Sequence, residues 1–235
     1  MFLNDCLFRV QSWVRRRLPQ PCVLCGARSL GSALCPGCRS DLPLLPSPRC
    51  PLCARPTPAG EVCGACLKRP PAFDRCQAAL VYAPPADALI RRLKYEGDLT
   101  LAGLLAELLL DALTRTDLPA AIVPMPLHPQ RLKARGFNQA VEIGRRLARR
   151  LGLPLLVDAC HRVRDTPAQV GLDVQARRRN LRGAFACDEG LRGLRVALLD
   201  DVMTSGASLN ELARAARRAG AAHIEAWACA RTLVR

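Results

Sequence analysis

Residues 196–208 read VALLDDVMTSGAS: four apolar residues, an aspartate pair, two further apolar residues and a short loop rich in hydroxyls. Asp200 and Asp201, carried at the end of a buried strand, can each accept a hydrogen bond from one of two neighbouring sugar hydroxyls. Thr204, Ser205 and Ser208 add hydroxyl donors to the backbone N–H groups of Val202, Met203 and Ala207, and Gly206 lets the chain approach a ligand closely. Apolar residues then recur at Leu209, Leu212, Ala213 and Ala216, a helical spacing, so a helix start would face whatever the loop holds. Together these groups suit a ribose that carries a phosphate. An aspartate pair after a strand also occurs at metal sites, and Thr or Ser before a helix is ordinary capping. The segment lacks both the Gly-Lys-Ser/Thr ending of a nucleotide P-loop and the Gly-x-Gly-x-x-Gly of a dinucleotide fold.

Eight of the 13 cysteines form four Cys-x-x-Cys knuckles: Cys22/Cys25, Cys35/Cys38, Cys50/Cys53 and Cys63/Cys66. Shifting the first four by 28 residues gives the second four, so the segment is an internal duplication. A two-residue gap lets a tight turn present two thiolates to one tetrahedral zinc ion. Two structural zinc ions are therefore expected, with sequential and interleaved pairing both open. Cys6, Cys76, Cys160, Cys187 and Cys229 lack this spacing and read as small buried residues.

The net charge of +15 is uneven: residues 131–182 hold 13 Lys/Arg against four acids. Such a concentration suits a polyanion, and Arg131 with the run Arg177, Arg178 and Arg179 are the candidate nucleic-acid contacts. No uncharged stretch approaches the ~20 residues of a bilayer span, and Asp5 and Arg9 interrupt what would be a signal peptide. Residues 1–20 have helical apolar spacing with arginines opposite, an amphipathic helix. A cytoplasmic protein is expected.

Three regions are thus expected: the helix at 1–20, a zinc module at 21–70 that metal helps to fold, and an α/β domain at 71–235. Within the last, the pattern predicts strands at 77–83, 122–127, 153–159, 194–202 and 223–231. Helices are predicted at about 85–95, 98–114, 134–152 and 205–219, and 160–190 reads as one long basic segment. Alternating strands and helices imply a mainly parallel sheet covered on both faces, with its ligand at the carboxyl ends of the strands.

The 200–208 loop resembles the phosphoribosyl-pyrophosphate (PRPP) motif of type I phosphoribosyltransferases, with Ser208 where Thr is more usual. Arg135-Gly136-Phe137-Asn138-Gln139 comes off a strand end, and RVRDTPAQ and RRRNLRGAF lie in the basic segment. With the knuckles, these strings resemble the ComF family of competence-associated proteins from Cys22 to about Arg231. The resemblance implies a double zinc ribbon joined to a type I phosphoribosyltransferase-like domain that handles single-stranded DNA during natural transformation, alongside other DNA-uptake proteins. It also implies that Asp200 and Asp201 bind the ribose and that residues 204–208 bind its 5′-phosphate. The loop from His128 to Arg135 would face the pyrophosphate, where Lys133 and Arg135 would meet the leaving group with Mg²⁺. Whether transfer is catalysed stays open. The alternative is an active phosphoribosyltransferase of nucleotide salvage with an unidentified acceptor.

Overall fold

The computed structural model describes residues 19–114, 117–164 and 180–233. The expected N-terminal helix, Cys6 and the Arg177–Arg179 run lie outside the described residues. The chain divides into two compact units, Met1–Pro43 and Leu44–Arg235.

In the first unit, β1 (Pro19–Pro21) pairs antiparallel with β2 (Arg28–Leu30), and a short helix α1 (Pro36–Ser40) follows. Cys35 caps α1, its Sγ accepting the Cys38 N–H at 3.4 Å, and Pro36 occupies the first turn, where no N–H is needed.

The second unit opens with the second pair of knuckles and a short helix α2 (Gly64–Lys68). Next come β3 (Arg75–Val81), helix α3 (Ala86–Arg91) running into a π-helical turn (Arg92–Glu96), and α4 (Leu101–Ala112). After β4 (Ala121–Pro124) there are two helices, α5 (Pro129–Arg135) and α6 (Gln139–Leu151). A separate antiparallel pair, β5 (Cys160–Arg162) and β6 (Phe185–Cys187), precedes β7 (Arg195–Met203), α7 (Ala207–Arg218) and β8 (His223–Arg231).

Strands β3, β8, β7 and β4 lie in that order and every pairing is parallel. The mixed α/β architecture with a parallel sheet is the expected one. Alternation along the strands separates two faces. Val196 and Leu198 of β7, with Ile224 and Ala226 of β8, share a core with Leu209 and Leu212 of α7. Helices α4 and α6 pack on the opposite side, where a Cβ on Gly144 would come within 2.8 Å of the Leu155 side chain and 3.3 Å of Leu199. That glycine lets α6 lie close to the sheet.

Three expectations change. Residues 153–159 do not form a strand; Leu155 makes one isolated parallel bridge to Ile122, because the chain leaves the sheet edge after a single register position. Residues 128–135, expected as a loop, are the helix α5. Pro129 at its first turn, His128 capping the Gln130 N–H through Nδ1 at 3.4 Å, and left-handed Gly136 at its end define it. Finally, Cys160 and Cys187 are not separate thiols. They stand opposite one another across β5 and β6 and are joined as a disulfide, a proximity that their separation of 27 residues hides. Cys76 and Cys229 are buried, as expected.

Candidate functional site

Because all four strands run the same way, the segments that follow β3, β4 and β7 emerge on one edge of the sheet. On β7, Asp201 is buried at 2% exposure and Asp200 is half-buried; the Asp200 Oδ1 accepts the Asp201 N–H at 2.9 Å. Lys94, from the π-helical turn after β3, brings its Nζ to 3.4 Å from the Asp201 Oδ2. That oxygen is buried and, apart from this ion pair, has no well-directed hydrogen bond within the protein.

Charge is divided unequally within the pair. Burial and then the adjacent Asp201 charge push Asp200 well above the usual carboxylate range. Burial would raise Asp201 too, but the Lys94 ammonium, the Asp200 side chain and the Val202 N–H together outweigh it and hold that carboxyl below its ordinary value. Burial would lower Lys94, and the two aspartates reverse this. One carboxylate is thus ion-paired and the other is held toward its neutral form.

Beyond β7, residues 204–206 turn into α7. Gly206 has φ of 76°, a conformation that favours glycine, and a Cβ there would lie 2.6 Å from the Met203 Cε, which would have to move aside. Ser205 Oγ accepts the Ala207 N–H at 3.3 Å. A small concavity is bounded by Asp200 and residues 202–209, including Val202, Thr204 and Ser208, at the start of α7. Its loop is pinned from behind by Arg231 of β8, which is 2% exposed. The Arg231 guanidinium donates to the carbonyls of Met203 at 2.8 Å, Thr204, Thr232 at 3.1 Å and Cys53 at 3.0 Å.

The string 135–139 is a local device. Gly136 takes φ of 80° to end α5, and the Asn138 side chain accepts the Ala140 N–H at 2.9 Å to start α6. Asn138 Nδ2 also donates to the Met125 carbonyl at 3.0 Å, tying the turn to the end of β4. Buried Gln139 accepts from Arg135 at 2.6 Å, and the Arg135 guanidinium stands 5.8 Å from the Tyr95 ring centre. Arg135 therefore lies beside the Lys94 turn. Lys133 is exposed on α5, and Arg131 sits on the same helix, half-buried. Lys94 and Tyr95 were missed in the sequence. Their one signal, a lysine and an aromatic residue before Gly97, is not specific without the fold.

The cysteines gather into two groups, Cys22, Cys25, Cys35 and Cys38, and Cys50, Cys53, Cys63 and Cys66, each with all sulfurs within 4.8 Å of one another. The pairing is sequential. An ion ~2.3 Å from each sulfur would set sulfurs ~3.8 Å apart at tetrahedral geometry. Cys25 and Cys35 are 3.7 Å apart and Cys53 and Cys63 are 3.6 Å apart, so both groups fit structural zinc. Against the opposing effect of burial, backbone N–H groups bring Cys22 down to about 6 and, with neighbouring thiols, Cys63 to about 7. The thiolate that zinc requires is favoured at both.

These features define an α/β protein with two four-cysteine zinc sites and a polar cradle at the carboxyl edge of its sheet. Residues 14–67 match the double zinc ribbon domain. The chain belongs to the family of Competence protein F and DNA utilization protein YhgH. It is 40% identical over 160 residues to Competence protein F of Haemophilus influenzae, spanning 64% of this chain and 69% of that protein. It is 36% identical over 191 residues to DNA utilization protein YhgH of Salmonella typhimurium, spanning 78% of this chain and 84% of that one. Among solved structures, glutamine PRPP amidotransferase from B. subtilis, complexed with ADP and GMP, aligns with TM-score 0.36 and 16% identity. The alignment covers 55% of this chain and 25% of that one. UMP synthase of Leishmania donovani aligns with TM-score 0.34 and 20% identity, over 59% and 22% of the two chains. This chain thus spans about a quarter of the length of these larger enzymes.

Proposed function

We propose that this protein binds PRPP, or a related ribose phosphate with its Mg²⁺, and single-stranded DNA, and acts in the cytoplasm on DNA taken up during natural transformation. The observation that carries the ribose-phosphate reading is the small concavity that Asp200 shares with the 202–209 turn, with the ion-paired Asp201 next to it on β7. The two carboxyls accept the ribose hydroxyls, and the turn's N–H and hydroxyl groups take the 5′-phosphate. Arg135, with Lys133 on the same helix, supplies positive charge toward a pyrophosphate, whose oxygens would carry the divalent ion. The names of the relatives and the basic composition of residues 131–182 support the nucleic-acid part. Among the described residues no helix is long and apolar enough to cross a membrane, which is compatible with action in the cytoplasm.

One observation favours a second reading, a phosphoribosyltransferase of salvage. Tyr95 is 70% exposed beside Lys94 and Arg135, a flat surface on which an acceptor base could stack next to the ribose. Titration of PRPP with Mg²⁺, run beside a pyrophosphate-release assay over a panel of bases, separates the two. Binding without release is the expected result. Base-dependent release would establish the transferase.

A further inference from the structure

A second cavity lies apart from the ribose-phosphate cradle. A cleft of about 410 Å³ lies between the second cysteine group and the face of α7, and Ser205, Gly206 and Ala207 form a wall common to the cleft and the cradle. Five guanidiniums line it: Arg55, Arg69, Arg182, Arg214 and Arg231. Glu211 is the one carboxylate in that lining. Its Oε1 accepts the Gly183 N–H at 2.8 Å and its Oε2 is 3.8 Å from Arg214. Cys53 and Cys66 also border the cleft, and a four-thiolate zinc centre is formally a dianion, so the lining stays net positive with metal in place.

Arg231 spends its donors on carbonyls, which leaves four arginines for a ligand. The Arg55 Nε is buried with no hydrogen-bond partner, and Arg69, Arg182 and Arg214 are exposed at the rim. Like charges gathered around a cavity repel one another unless an anion sits between them, and guanidinium forks match phosphate oxygens in pairs. Pro70, Pro71, Phe73 and Met203 supply an apolar side, and the volume falls within the range of small-molecule sites, ~300–1,000 Å³. A bare phosphate would leave that apolar side wet.

We propose that this cleft is a second ligand site, distinct from the cradle, for a phosphorylated nucleotide unit that is either a free nucleotide or one link of a single strand. In the strand form it rests on the nucleic-acid reading above, and it then places the contacts on Arg55, Arg69, Arg182 and Arg214 rather than on Arg131 and residues 177–179.

The test uses the full chain with its zinc, and two probes read by fluorescence anisotropy at low salt: a labelled oligothymidylate and a fluorescent ADP. In R55A/R69A/R214A, affinity for at least one probe should fall about tenfold or more, while zinc content holds and PRPP affinity stays within about twofold. If that variant does not fold, R69E/R214E decides, since both side chains are exposed. Loss of nucleotide binding in the variants, with a parent that never binds the oligonucleotide, upholds the cleft and removes the single-strand reading. Oligonucleotide binding that the cleft variants leave untouched, with no ADP binding to lose, overturns the cleft and keeps that reading. A parent that binds neither probe overturns both.

Discussion

The two cysteine groups are copies in sequence and opposites in setting. The first lies in the Met1–Pro43 unit, with Cys25 exposed and only Cys22 buried. The second belongs to the α/β unit, with Cys50, Cys53 and Cys66 buried. There, the Cys76 N–H of β3 donates to the Pro51 carbonyl at 2.8 Å, Arg49 donates to the Ala78 carbonyl at 2.9 Å, and Arg231 joins the Cys53 carbonyl to the turn after β7. Duplication therefore produced one group held mainly by its own short strands and turns, and another built into the α/β unit. Identical ligands can have unequal consequences when what surrounds them differs.

The largest effect should come from Cys50→Ser. It removes a fully buried ligand, and stability of the α/β unit should fall by on the order of 4 kcal/mol or more, seen as a lower melting temperature together with lost zinc and weakened PRPP binding. Cys25→Ser should lose zinc as well but leave the α/β transition and PRPP affinity in place. Equal damage from the two variants would erase the contrast.

Next is the ribose end of the same link. Asp200→Ala with Asp201→Ala should reduce PRPP affinity by about 1.5–3 kcal/mol for each hydrogen bond lost, measured by calorimetry, with both zinc ions retained. Unchanged affinity would move the ligand elsewhere.

A smaller effect tests the Arg231 connection. Coupling between sites is reciprocal, so if the second zinc group supports the turn, bound PRPP should slow the release of one zinc ion to a chelator and not the other. Without ligand, release should already show a fast phase from the more exposed group and a slow one from the buried group.

The smallest concerns pH. Asp200 lies well above the usual carboxylate range in the free protein, and hydroxyl donors favour its charged form, so ligand binding should expel a proton. PRPP affinity should therefore rise with pH until Asp200 is ionised without ligand. Calorimetry in buffers of different ionisation enthalpy reads the released proton; affinity that falls as pH rises would contradict the assignment.

Much of this was legible in the chain. Knuckle spacing and the 28-residue repeat gave the zinc ligands, because turn geometry is local. The β7 run and the turn after it could be read together, since a buried parallel strand must be apolar and Gly206 marks a backbone that other residues resist. Strand β8 was placed at its observed limits, 223–231. Less was visible after β4. There Pro129, His128 and Gly136 enclose a helix of only seven residues, too short for apolar periodicity to announce it.

What sequence alone determined was chemistry carried by neighbours along the chain: thiolates in pairs, two adjacent carboxylates, a hydroxyl-rich turn. What only tertiary structure decided was which distant groups meet them. Lys94 against Asp201, Tyr95 against Arg135 and Arg231 behind the turn depend on parallel strand order and on burial, the disulfide between Cys160 and Cys187 on the antiparallel pairing of β5 with β6, and sequential zinc pairing on how each cysteine group folds. Contacts across tens to more than a hundred residues leave no local periodicity to read; they exist because packing the two faces of the sheet brings strand ends to a common edge.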